Sequence, residues 1–235
     1  MPLMPGLTAG CSDRAFSARF AGKGTHPMQV TSKDVFIVID VQVDFVSGSM
    51  AIPDAQKIIT PINEAAGKFA HLVVVTDWHP ADHVSFSSNH PGTKHMDRVP
   101  VAYGEQGVFH DHCVQGTEGA ALAPGLELTK AEMIFRKGYR SEIDSFGAFY
   151  ENDGTATGLG AYLKARGFER VFCAGLARYG CVMQSALGSA RDGFETYILA
   201  DASAGDRDVE ANNAKLEQAG VKWITTGELA TAAAA

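Results

Sequence analysis

Apolar residues along the chain fall into short continuous runs separated by stretches of helical period. Val35-Phe36-Ile37-Val38-Ile39, Leu72-Val73-Val74-Val75-Thr76 and Val171-Phe172-Cys173-Ala174 are rich in β-branched side chains, the pattern of strands buried on both faces. Residues 131–135, 196–199 and 221–224 are shorter runs of the same kind. Between them the spacing predicts four helices. One opens at Pro53–Asp54, with Asp54 as its cap, and runs to about Phe69. A second covers Thr157–Gly167, where Leu159, Tyr162 and Leu163 share a face. A third starts at Cys181, with Val182, Ala186 and Ala190 four apart, and a fourth covers Val209–Ala219. Strands alternating with helices predict an α/β fold, a parallel sheet covered on both faces.

Two ends stand outside this pattern. Residues 1–33 are rich in Gly, Pro, Ser and Thr without periodicity, and are expected to be an N-terminal extension. They lack the basic start and apolar middle of a signal peptide. A single domain is expected over 34–228, and residues 229–235 are expected to be a frayed end. The polar stretch from Pro80 to Pro124 carries five of the eight histidines and little regular pattern, and a loop that long is usually functional.

Composition narrows the function classes. A chain of 235 residues suffices for one large α/β domain. A formal charge of −7 leaves no basic excess to neutralise phosphates, so nucleic acid is not the expected partner. No apolar run approaches the roughly 20 residues of a membrane helix. Cys11, Cys113, Cys173 and Cys181 are scattered and include no C-x-x-C pair, so no disulfide framework is expected and a reducing cytoplasm is the simplest setting.

The chemistry lies at the carboxyl ends of the strands, which share one edge in a parallel sheet. The first ends in Asp40, the second in Asp77 and His79, the third in Lys137, and the fourth leads through a glycine-bearing turn to Cys181. A lone cysteine is more often core packing, an aspartate after a strand a turn residue, and a lysine there a solvated one. Convergence changes that reading. A cysteine at a helix start, a carboxylate and a fixed cation form a nucleophile with its proton acceptor. Asp40 takes the thiol proton and returns it to a leaving amine, and Lys137 favours both ionised forms. The backbone N–H groups of Cys181 and of the Leu176–Ala177 turn are placed to hold an oxyanion. Asp77 and His79 lie two apart on an extended segment. With His112 or His83 they suit Zn²⁺, or else Fe²⁺ or Mn²⁺, although histidines of a polar loop are also commonly just solvated.

These segments match a known family. Asp40-Val41-Gln42-Val43-Asp44-Phe45, Asp77-Trp78-His79 through Phe86, His112-Cys113-Val114-Gln115-Gly116-Thr117, Phe135-Arg136-Lys137-Gly138 and Gly175-Leu176-Ala177 through Cys181-Val182 resemble the nicotinamidase/pyrazinamidase members of the isochorismatase-like cysteine hydrolases. The resemblance spans about residues 34–225 in the right order. It implies a three-layer α/β/α fold with a six-stranded, mainly parallel sheet, and hydrolysis of nicotinamide through a cysteine thioester. It assigns Asp40, Lys137 and Cys181 as the catalytic triad, with Asp77, His79 and His112 as metal ligands. His83 matches a position that ligates in some members and not in others. A cis peptide before Ala177 is implied too, turning its N–H into the oxyanion hole with that of Cys181.

The chain departs from the family at Arg178-Tyr179-Gly180, where Thr-Asp-Tyr is usual, and at Phe109, where tryptophan is common. Arg178 is expected as a solvated loop residue or as a pocket residue favouring an anionic or differently substituted ring. Phe45, Phe109, Arg178 and Tyr179 are the expected pocket residues. The expected partner is a small-molecule amide, either nicotinamide or another small amide, and a homo-oligomer is left open. A non-catalytic binding module and a redox thiol protein are the rivals of other classes.

Overall fold

A computed structural model describes residues 27–231. Its first strand, β1 (Met28–Gln29), precedes β2 (Asp34–Ile39), every residue of which is buried. The pleat sends alternate side chains of β2 to opposite faces. Phe36 and Val38 enter one core, and Val35, Ile37 and Ile39 the other. After a short helix α1 (Val43–Val46), a 3₁₀ turn at Ala55–Ile58 leads into α2 (Ile59–Lys68). The expected cap Asp54 does not cap. It takes a left-handed backbone at φ 64 and pairs with Lys57 at 2.7 Å, because the 3₁₀ turn stands between it and the helix. Strand β3 (His71–Asp77) follows, then a two-stranded antiparallel hairpin, β4 (Arg98–Val101) and β5 (Gly104–Gly107), inside the stretch read as irregular.

Strand β6 (Met133–Lys137) begins two residues later than expected. It is an edge strand with alternating exposure, and its buried end is Lys137. Then come α3 (Leu159–Ala165), β7 (Arg170–Gly175), α4 (Met183–Arg191), β8 (Glu195–Ser203), α5 (Val209–Gln218), β9 (Lys222–Ile224) and β10 (Leu229–Ala230). The central sheet has six strands in the order β6-β3-β2-β7-β8-β9, all parallel. On one face α2 contributes Ile59, Ile62, Ala65 and Ala66 to the core. On the other, Leu159 and Leu163 of α3, Met183 and Ala186 of α4, and Leu216 of α5 do the same. Each such side chain buried is worth roughly 1.5–3 kcal/mol, alanine less. This is the expected α/β/α arrangement.

The ends differ from expectation. β1 pairs in parallel with β10, Met28 opposite Leu229 and Gln29 opposite Ala230, and Val30 is buried with Leu229 in the core. Met28–Gln29 and Leu229–Ala230 thus pair inside the stretches expected to be an extension and a frayed end; residues 1–26 and 232–235 of those stretches lie outside the described residues. Cys11 lies outside the described residues.

The sheet order fixes where a site can form. The chain travels outward from β2 through β3 to β6, then returns to the other side of β2 for β7, β8 and β9. That reversal opens a crevice between the carboxyl ends of β2 and β7, the place where doubly wound sheets bind ligands.

Candidate active site

Backbone geometry brings the two central strand ends together. Gly175 ends β7 at φ +125, where any Cβ would overlap the Ile39 carbonyl at the end of β2, so only glycine fits. Leu176 then donates its N–H to that carbonyl at 2.9 Å, and the next peptide, Leu176–Ala177, is cis. Arg178–Val182 forms a wide turn in which Tyr179 and Gly180 leave helical geometry, and the Ala177 carbonyl accepts from Gly180 and Val182. Helix α4 starts at Met183, two residues later than expected, so Cys181 sits in the turn before it.

Across the crevice, Asp40 follows β2 at a left-handed φ of 53 and is wholly buried. The β3–β6 register sets Asp77 beside Lys137. Lys137 Nζ lies 2.5 Å from Asp77 Oδ1, 2.9 Å from Asp40 Oδ2, 3.0 Å from the Ser145 carbonyl and 3.5 Å from Cys181 Sγ. The four strand ends singled out in the sequence thus meet around one ammonium group.

Burial and pairing set the protonation states. Burial, reinforced by the Asp77 charge, lifts Asp40 to about 7 against the pull of Lys137. Burial would raise Asp77 too, but Lys137 and His79 outweigh it and hold that carboxylate ionised. Burial works to neutralise Lys137, and Asp40 and Asp77 overcome it, so the amine stays charged. Burial pushes the Cys181 thiol well above its ordinary range, although Lys137 opposes this. The resting pair is therefore a thiol beside a carboxylate of intermediate basicity, suited to moving one proton between them. Buried Cys173 is pushed up to about 12 and Cys113 higher still, so neither offers an activated partner thiol.

One group of donors suits a metal ion. Asp77, His79 and His112 are all buried and offer ligand atoms within 4.8 Å of one another. His79 Nδ1–H donates to the Gly138 carbonyl at 2.8 Å, and His112 Nδ1–H to the His110 carbonyl at 2.7 Å. Each ring therefore leaves Nε2 as its lone-pair donor, and His79 Nε2 lies 3.6 Å from Asp77 Oδ2. One carboxylate and two imidazoles, each with Nδ1 tied to a carbonyl and Nε2 turned inward, fit a divalent ion once the rings bind it as neutral ligands. His83 lies against His79 with ring centroids 4.1 Å apart and planes tilted by 33° and, with Asp144, forms a second potential donor group with His79. Both of its own nitrogens are engaged, however. Nδ1 meets the Ser85 hydroxyl at 2.7 Å, and Nε2 meets the Ile143 carbonyl at 3.3 Å.

These groups open into a cleft of about 370 Å³ walled by Phe45, Phe109, Phe146, Tyr179 and Ile52, with Cys181, Ala177, His79 and His112 also lining it. That size and apolar lining suit a small planar ligand. Phe45, Phe109 and Tyr179, expected as pocket residues, line this cleft. Arg178 does not. It is neither solvated nor in the cleft, but 2% exposed behind the turn, with its guanidinium on Asp206 and the carbonyls of Ala200 and Ser203. Arg207 lines the cleft instead.

Several residues support the site from around it; of these, Asp44 was expected from the sequence to hydrogen-bond within the active-site loop or to cap it. Buried Gln42 accepts from the Asp77 N–H and donates to the Asp77 carbonyl, both at 2.8 Å, which fixes that residue. Asp44 accepts from the Cys113 N–H at 2.7 Å and so anchors the segment that carries His112. Ser145 acts through its backbone, and Phe146, Gln184 and Arg207 reach the cleft from loops and from α4.

Comparison with known proteins agrees with this geometry. Residues 34–228 match the isochorismatase domain family. A nicotinamidase of Acinetobacter baylyi is 41% identical over 177 residues, covering 74% of this chain and 83% of that protein. A solved nicotinamidase/pyrazinamidase of Acinetobacter baumanii superposes with TM-score 0.82 at 39% identity, covering 84% of this chain and 98% of its own. The L. infantum protein PnC1, solved with nicotinate, gives TM-score 0.77 at 32% identity, covering 87% and 99%. A Pyrococcus horikoshii pyrazinamidase solved with zinc gives TM-score 0.69 at 30% identity, covering 82% and 99%. The crevice between β2 and β7, the Asp40–Lys137–Cys181 cluster and these similarities lead to one assignment: the chain belongs to the isochorismatase domain family and, within it, to the nicotinamidase/pyrazinamidase family.

Proposed function

We propose that this protein is an amidohydrolase that converts nicotinamide to nicotinate and ammonia, with Cys181 as nucleophile, Asp40 as acid and base, and Lys137 as the cation between them. The observation that carries the roles is the Lys137 ammonium, placed within 3.5 Å of the thiol and in ion pairs with both carboxylates. As the Cys181 sulfur bonds to the carboxamide carbon, its proton passes to Asp40 and the carbonyl π pair moves to oxygen. The N–H groups of Ala177 and Cys181 receive that oxyanion. The C–N bond breaks, and Asp40 returns the proton to the departing nitrogen, which leaves as ammonia. Asp40 then takes a proton from water as the water oxygen bonds to the thioester carbon. The C–S bond breaks, the departing sulfur takes its proton back from Asp40 to restore the thiol, and the carboxylic acid product loses its proton to solvent as nicotinate.

Asp77, His79 and His112 would hold a divalent ion, zinc foremost with iron or manganese as alternatives. When bound, it supplies a Lewis-acid contact for a ring nitrogen, which orients the carboxamide towards Cys181. Asp77 links this site to the nucleophile, because its other oxygen holds Lys137. A nucleophilic thiol works only when reduced, a state that a reducing cytoplasm favours. Among the described residues no helix is long and apolar enough to cross a membrane.

The test is ammonia release from nicotinamide by zinc-loaded protein, beside Cys181→Ala and a chelated sample. Release that disappears in both controls supports the reading. A folded, zinc-loaded parent that releases none refutes it.

A further inference from the structure

Arg178 is one of the largest fully buried side chains of the protein, and the chemistry above does not use it. Its partners among the described residues share one feature: Ala200, Ser203, Ala204 and Asp206 lie on the segment where β8 ends and the next loop begins. The guanidinium donates to the Ala200 carbonyl at 3.0 Å, to the Ser203 carbonyl and to the Asp206 carboxylate, and its own backbone N–H donates to the Ala204 carbonyl at 2.6 Å. Main chain and side chain of one residue therefore fasten the turn before Cys181 to residues 200–206.

The same segment touches the turn on its cleft side. A Cβ built on Gly205 would sit 2.9 Å from the Ala177 Cβ, so residue 205 has no room to spare against the residue whose N–H faces the oxyanion. Ala177, Gly205 and Cys181 all line the cleft. Between Ala177 and Cys181 the backbone leaves helical geometry at Tyr179 and Gly180, so no regular helix holds that span in place.

A buried ion pair seldom stabilises a fold more than apolar side chains of similar volume would. A guanidinium is distinctive in directing several hydrogen bonds in a fixed fork. We propose that Arg178 is a positioning residue: it holds the Ala177–Cys181 turn against the β8 exit and thereby keeps the Ala177 and Cys181 N–H groups aimed at the oxyanion of the tetrahedral intermediate. The proposal rests on the amide-hydrolysis reading and extends it to a residue outside the cleft.

The test separates ground-state from tetrahedral-state binding in Arg178→Met, Arg178→Lys and Asp206→Ala. Nicotinate probes the first. Pyridine-3-carbaldehyde probes the second, because Cys181 sulfur adds to its carbonyl carbon, the π pair moves to oxygen, and the adduct presents a tetrahedral oxygen to the same N–H groups. For Arg178→Met we expect kcat to fall about 100-fold, the scale of a lost or misaimed oxyanion donor. Aldehyde affinity should fall in parallel, while KM for nicotinamide and affinity for nicotinate stay within about threefold. Arg178→Lys should recover about tenfold, since an ammonium restores charge and some of the donors. Asp206 is about one-third exposed, so Asp206→Ala is the milder lesion, and kcat and aldehyde affinity should both fall about fivefold. If Arg178→Met does not fold, Asp206→Ala decides. Folded variants with unchanged kcat overturn the proposal, as does an equal loss of nicotinate and aldehyde affinity, which would mean general collapse of the cleft. A parent inactive on nicotinamide would instead overturn the underlying reading.

Discussion

Replacing Asp40 by asparagine should cut turnover sharply and at the same time make the metal-stripped protein more stable at alkaline pH. Asp40 is wholly buried, and burial with the Asp77 charge lifts it from 3.8 to about 7. The folded state therefore keeps a proton that the unfolded chain has lost. Stability falls as pH rises through the window between those values, with a slope of up to about 1.4 kcal/mol per pH unit, and levels off above it. A shift of about three units sets a ceiling of about 4 kcal/mol. Asparagine keeps the shape and cannot ionise, so it escapes this loss. Lys137 would lose one of its two anionic partners, which offsets part of the gain, and we expect about 2 kcal/mol net at pH 8. For a domain of this size that is about 4–8 °C in Tm. Thermal unfolding followed by circular dichroism, parent against Asp40→Asn at pH 5 and pH 8, reads the effect as a Tm difference that grows with pH. A difference that is flat in pH, or that moves in the parent's favour as pH rises, refutes the electrostatic reasoning. Activity should fall by about 10²–10⁴, the usual loss of a general acid–base group.

Four further predictions follow from the same geometry. The acid limb of kcat/KM should lie at or below pH 7, because the ionised Asp40 is the active base and a bound cation offsets the Asp77 charge that raises it; ammonia release across pH checks this, and a rate rising towards pH 5 contradicts it. Gly138→Ala drives a Cβ into the His79 ring at φ +62, so zinc affinity by competitive chelation should fall at least tenfold. Asp44→Ala frees the Cys113 N–H and the segment bearing His112, and should weaken zinc about 10- to 100-fold without touching a ligand. His83→Gln should change zinc affinity by less than about threefold, against a loss of at least 100-fold in His112→Ala, because both His83 nitrogens already have partners.

What the sequence disclosed follows from which interactions are local. The buried strands β2, β3 and β7 were legible because a continuous β-branched run has one sensible use in an α/β chain. Their ends carried Asp40, Asp77 and the path to Cys181, and a parallel sheet gathers such ends on one edge. Strand β6 was placed two residues early because an edge strand alternates exposure and its apolar residues do not mark its limits. The β4–β5 hairpin has only Val99 and Gln106 buried, too little pattern to announce it. Arg178 was misplaced for a different reason. Its side-chain partners among the described residues lie 22 to 28 residues away in sequence, two of them backbone carbonyls, and no local pattern encodes acceptors that only the β7–β8 crossover brings near. The supporting bonds of Gln42 and Ser145 run to main-chain groups and are invisible for the same reason.

The most direct test of the account is whether the substrate's acyl group becomes attached to Cys181 during turnover. Zinc-loaded enzyme mixed with nicotinamide, quenched in acid within a few turnovers and digested, should yield a Cys181-bearing peptide that carries a nicotinoyl thioester. The adduct should disappear on treatment with hydroxylamine and be absent from Cys181→Ala. Steady ammonia release with that peptide unmodified at every quench time, and undiminished release by Cys181→Ala, would contradict the account at its centre.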